Sequence, residues 1–141
     1  MTKVLSYKLA GELFGIDITY VKEINRNIEY SVVPKSPTNI LGLFNMRGQI
    51  VTLFNLAKIL GYEASESENR SICIILKATQ GSANQVGFLI DETGDVLDLE
   101  DDTCEVPPAN VDELKYKYIK KISRLEKELL MIIDTGKIIQ N

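Results

Sequence analysis

A series of short apolar runs, each of about four to eight residues and each stopped by a turn signal, constrains this chain more than any other feature. Leu5, Tyr7 and Leu9 alternate with Ser6 and Lys8, the two-residue period of a strand with one buried face. Ala10-Gly11-Glu12 is a turn, and residues 13–18 resume an extended apolar pattern, which predicts a hairpin. Residues 28–33, 40–46, 49–54, 71–78, 85–90, 95–99, 118–125 and 129–134 read the same way. Pro34 and Pro37 cannot donate to a ladder and place a loop after residue 33. Gly48 supplies the positive φ of a tight turn between residues 46 and 49. Strands this close together, without intervening long helices, predict an all-β barrel or sandwich rather than βαβ units.

Helices are few and short on this reading. Asp17 and Thr19 offer capping oxygens, and Ile18, Val21 and Ile24 recur every three residues, which predicts one or two helical turns there. Asn55 caps a short helix that Gly61 ends. Asp134 or Thr135 caps a last one over residues 136–140. Residues 63–70 are polar and read as a solvated linker.

Composition excludes several chemistries. The 141 residues contain no histidine, which removes Ser-His-Asp and Cys-His catalysis and histidine-ligated zinc together. Cys73 and Cys104 match no metal spacing, and Cys73 lies inside an apolar run as a small core residue. The net charge of −4 argues against a nucleic-acid partner. No apolar run approaches the ~20 residues of a membrane span, and the N-terminus lacks the pattern of a signal peptide. Asp134-Thr135-Gly136 has the form of an aspartic-protease loop, but too few residues follow to hold it, and a helix cap is the better reading. Eight acids lie between residues 91 and 105 without the glycine placement of a calcium loop, and read as a solvated sheet face. The basic run of Lys115, Lys117, Lys120, Lys121, Arg124 and Lys127 reads as an edge strand kept soluble by its charges. No catalytic residue, metal ligand or cofactor site is expected, so the chain reads as a binding protein rather than an enzyme.

Residues 33–50, VPKSPTNILGLFNMRGQI, resemble the CheW family of bacterial chemotaxis coupling proteins, whose pattern is V-P-x-x-P-x-x-I-x-G-x-x-N-L-R-G-x-I. Phe14-Gly15-Ile16-Asp17-Ile18 is similar to the family's aromatic-G-I-D-I, and Val21-Lys22-Glu23-Ile24 to its V-x-E-I. Residues 87–99 and the closing strands match as well, so the likeness spans about residues 4–139. Met46 departs from leucine, Thr52 from proline, Asn55 from aspartate and Lys121 from glycine.

This resemblance implies two intertwined five-stranded β-barrel subdomains in a single domain over residues 1–141. The first barrel is expected mainly over residues 17–66 and the second mainly over 67–125, with terminal strands completing both. It implies an adaptor that joins the tips of transmembrane chemoreceptors to the regulatory domain of the histidine kinase CheA. The alternative is a scaffold of the same build in a non-chemotaxis kinase pathway. The expected location is cytoplasmic, at membrane-associated receptor arrays, with no insertion into the bilayer. The partner-binding residues expected are Val21, Glu23, Ile24, Gly42 and Arg47. Val21 and Ile24, one helical turn apart, would anchor a partner; Gly42 would admit a second backbone; Arg47 would pair with Glu23 and shape the groove.

Overall fold

A computed structural model describes residues 2–33, 39–62, 70–77, 85–107 and 114–139. Ten strands form two five-stranded sheets. The first sheet holds β1 (Thr2–Leu9), β2 (Glu12–Asp17), β8 (Glu92–Leu99), β9 (Ile119–Arg124) and β10 (Leu129–Ile133), in the order β8-β1-β2-β10-β9. The second holds β3 (Val21–Asn25), β4 (Ile40–Met46), β5 (Gln49–Phe54), β6 (Ile72–Leu76) and β7 (Gln85–Ile90), in the order β3-β6-β7-β5-β4. The sheets interleave along the chain. β6 and β7 pair with β3 and β5, and the chain changes sheet after β2 and after β7.

Both two-residue hairpin turns have positive φ at each central residue, +53° and +80° at Ala10-Gly11 and +50° and +83° at Arg47-Gly48. This is the turn whose twist matches that of paired strands. The expected helix around residues 18–24 is instead a single 3-10 turn, Ile18–Tyr20, followed directly by β3. Asp17 caps that turn, its carboxylate accepting from the Thr19 N–H at 3.0 Å, so the capping signal was real and the three-residue period was not helical. Asp91 alone separates β7 from β8, which begins at Glu92, three residues before the apolar run expected over 95–99. Residues 28–33 form no strand and contribute one bridge, Ser31 to Leu43. Two capped helices follow expectation. Asn55 accepts from the Lys58 N–H above α1 (Leu56–Ile59), and Asp134 accepts from the Lys137 N–H above α2 (Thr135–Ile139), both at 3.2 Å.

Each sheet is rolled. In a flat five-stranded sheet the outer strands would lie about 19 Å apart, four spacings of ~4.8 Å. Here β3 and β4, the outer strands of the second sheet, touch through Asn25 and Met46 at 2.8 Å. The chain leaving β3 turns at Asn27, with φ of +59°, and Ser31 then exchanges two backbone hydrogen bonds of 2.9 Å with Leu43 of β4. The first sheet uses the same device. The chain leaving β8 passes a 3-10 turn, Asp101–Thr103, and Glu105 exchanges bonds of 2.8 and 2.7 Å with Ile122 of β9. That seam also joins the acidic and basic runs. Arg124 Nε lies 3.1 Å from Glu105, and Lys121 Nζ lies 3.7 Å from Asp101, which also accepts from the Thr2 hydroxyl at 2.9 Å.

One core lies between the sheets. Tyr7, Phe14 and Ile16 from the first meet Ile74, Phe88 and Ile90 from the second, with α1 packed against them. Tyr7 stacks on Phe14 with ring centroids 6.0 Å apart and meets Phe88 at 5.6 Å. Burial pushes the Tyr7 phenol well above its ordinary range, so it is neutral at any physiological pH. A second cluster, including Phe44, Val51, Cys73 and Ile75, fills the second sheet, and a third fills the first. Cys73 is a core residue as expected, its thiol pushed up to about 12 by burial, and both cysteines are free.

Arg70, expected in a solvated linker, is buried. Its Nε donates to Asp91 Oδ1 at 2.7 Å, and Asp91 Oδ2 accepts from the Ala10 N–H at 2.8 Å. Asp91 stands where the chain crosses from the second sheet to the first, so this node ties β6, the crossover and the β1–β2 turn together. The other residues of the expected linker, 63–69, lie outside the described residues.

Two outcomes follow. Asp91→Ala leaves a buried guanidinium without its anion and is expected to cost about 3 kcal/mol, measured by urea unfolding. The Thr2 hydrogen bond, then the Lys121 charge, hold the Asp101 carboxyl below its ordinary 3.8. Its contribution to stability is therefore present above that ordinary value and is lost as pH falls through the lowered one. Carboxyl-carbon NMR titration should find Asp101 titrating low in the wild type and nearer 3.8 in Thr2→Val.

Candidate functional site

The seam between β3 and β4 brings Glu23 and Arg47 together. Arg47 occupies the tip of the β4–β5 hairpin, where Met46 pairs with Gln49. A left-handed conformation costs a non-glycine residue about 1–2 kcal/mol. The turn is held by Asn45, whose side-chain oxygen accepts from the Gly48 N–H at 3.1 Å. The Arg47 guanidinium leaves the tip 67% exposed and its Nη2 donates to Glu23 Oε1 at 2.5 Å. Glu23 is 25% exposed. The pair expected from the sequence is present, across a seam that backbone hydrogen bonds do not span at this point.

Val21 and Ile24 stand on β3, not on a helix. On a regular strand, residues three apart face opposite sides. A β-bulge at Lys22 cancels this: Val21 pairs with Leu76, Glu23 with Ile75 and Ile24 with Ile74. Leu76 and Ile74 belong to the core between the sheets, and Val21 and Ile24 pack against it, each partly exposed. Glu23 and Asn25 fall on the other face, with Ile75 and Cys73, toward β4. The bulge therefore sorts the strand into an apolar side and a polar seam.

Gly42 is buried in β4, and the backbone it admits is the chain's own. A Cβ at that position would lie 2.4 Å from the Ser31 carbonyl oxygen and 2.9 Å from the Tyr30 ring. This close approach serves the Ser31–Leu43 bridge. Sequence reasoning did not find Asn25, Ser31 or Asn45. The first two act across gaps that no spacing encodes. Asn45 had a readable signal, an asparagine three residues before the turn glycine.

Exposed apolar side chains flank the seam. Ile50 is 54% exposed on the hairpin itself and Val32 is 68% exposed beside the bridge. The arrangement is a charged tip in a left-handed turn with two exposed apolar side chains beside it, and it suits recognition of another protein. Among the described residues no group of histidine, cysteine or carboxylate side chains has the geometry to hold a metal ion.

Known proteins resemble this chain over nearly its whole length. The family model for the CheW-like domain matches residues 3–141. The chemotaxis protein CheW of Thermotoga maritima is 28% identical over 138 residues, 98% of this chain and 87% of that protein. That of Bacillus subtilis is 29% identical over 140 residues, 97% and 86% of the two chains. The scaffolding protein TtCheW from Thermoanaerobacter tengcongensis superposes with a TM-score of 0.79 at 25% identity, over 94% of this chain and 83% of that one.

Arg47→Asn tests what the tip contributes to stability. Asparagine suits the left-handed position before glycine, whereas an exposed ion pair contributes only ~0–1 kcal/mol. Urea unfolding is expected to show stability unchanged or raised by up to about 1 kcal/mol.

Proposed function

The chain belongs to the CheW-like domain family, a family of chemotaxis coupling and scaffold proteins, and on that premise we propose that it joins chemoreceptor tips to the histidine kinase CheA. The observation that carries the reading is the Glu23–Arg47 pair at an exposed, strained turn. A turn residue held in an unfavourable conformation, with its charge outside and its partner fixed, is expected where recognition and not stability sets the residue. Arg47 and Glu23 present the polar contact, and Val21 and Ile24 the apolar anchor on the other face of β3. Gly42 acts indirectly, by letting Ser31 close the seam beneath them.

The two faces of β3 suit an adaptor. A receptor tip is a helical hairpin, and a helix can lay its apolar side against partly exposed Val21 and Ile24. The kinase's regulatory domain shares this fold, so barrel-to-barrel contact through the Arg47 hairpin is the second interface. Repeated head-to-tail contacts of that kind close into rings, which would let receptors act together. Among the described residues no helix is long and apolar enough to cross a membrane. Recruitment to receptor arrays in the cytoplasm would then come through these partners.

Calorimetric titration of the full chain with a CheA regulatory domain tests the reading. Micromolar or tighter binding is expected for the wild type. Arg47→Glu is expected to lose at least tenfold and to recover in part when Glu23→Arg is added. Val21→Asp is expected to weaken receptor-tip binding. Failure of the wild type to bind such a domain would remove the coupling role.

A further inference from the structure

Beneath the exposed Glu23–Arg47 pair lies a second contact that the family pattern does not contain. The Asn25 side-chain amide donates from Nδ2 to Met46 Sδ at 2.8 Å. Asn25 follows Glu23 by two residues on the same face of β3, opposite Cys73. Met46 immediately precedes Arg47, and is buried at 7% exposure in the cluster that fills the second sheet. The two contacts thus both cross the seam, one part-buried and one exposed, and no backbone ladder joins β3 to β4 between them. A thioether is a weak acceptor, whereas leucine, which the family pattern has at this position, accepts nothing.

We propose that Asn25 and Met46 are positioning residues for Arg47: their contact holds β3 and the β4 tip at the separation at which Glu23 and the guanidinium meet. Three facts support this. Arg47 is held at φ +50°, so its backbone has little freedom to follow a shifted partner. Its guanidinium is 67% exposed, and an exposed pair of long side chains does not by itself keep two strands in place. The other seam contact, the Ser31–Leu43 bridge, meets β4 at its middle residue, three residues before Met46. Met46 is then what fixes the tip. The partner-binding part of this inference rests on the adaptor reading above, whereas the positioning part does not.

The test is a double-mutant cycle on Glu23 and Arg47 in the full chain, run in the wild type, in Met46→Leu and in Asn25→Ala. Met46→Leu conserves volume and should fold normally. In the wild type the pair is expected to change the unfolding constant by a factor of about two to five. In either variant that factor is expected to fall to about one. Affinity for the CheA regulatory domain should drop in Met46→Leu by roughly the factor lost in Arg47→Ala. A Glu23–Arg47 coupling that persists undiminished in both variants overturns the proposal. Loss of coupling with unchanged affinity upholds the positioning role and refutes the use of Arg47 in binding, so the two readings fail separately.

Discussion

Two short backbone bridges set the architecture: Ser31 with Leu43, and Glu105 with Ile122. A five-stranded sheet has two edges, and an open edge is a template for unwanted pairing. In each sheet the chain leaving one outer strand crosses to the other and makes a single pair of hydrogen bonds there. A left-handed asparagine starts the first crossing, and a 3-10 turn starts the second. Rolling each sheet in this way gives it an inner cluster and leaves an outer face, and the outer faces bury one another around Tyr7, Phe14 and Phe88. The crossing segments are therefore where close approach is needed, and Gly42 lies under one of them.

The same closure places the charges. The acidic stretch near residue 100 and the basic stretch near residue 120 lie on opposite sides of the first seam, and Asp101 and Glu105 meet Lys121 and Arg124 there. The second seam carries Glu23 and Arg47. All three ion pairs are at least partly exposed, so geometry and not energy is their main contribution. Arg70 and Asp91 differ, because the Arg70 side chain is only 4% exposed and Asp91 is its anion. That node stands where the chain passes between sheets and fixes them relative to each other.

Much of this was legible beforehand. Alternation of apolar and polar residues located most strands to within a few residues, because a half-buried strand must alternate. Both glycine turns, both helix caps and the core position of Cys73 were readable from single residues with one dominant conformational or packing preference. The pairing of Glu23 with Arg47 came from family resemblance. The stretch around Val21 misled, since spacing by three fits a helix and also fits a strand interrupted by a bulge. Arg70 misled because a charged residue in a polar run has no local sign of burial.

The sequence by itself determined the all-β class, the turns and the absence of histidine chemistry, because these depend on local periodicity and on residue types. Only the tertiary structure decided which sheet each strand joined, which face Val21 and Ile24 shared, and that Asn25 would reach Met46. Strand partners are chosen by packing between residues far apart in the chain, and one inserted residue in a ladder reverses every side chain beyond it. No short-range pattern carries that information, so the polar seam could be built only after the sheets had rolled.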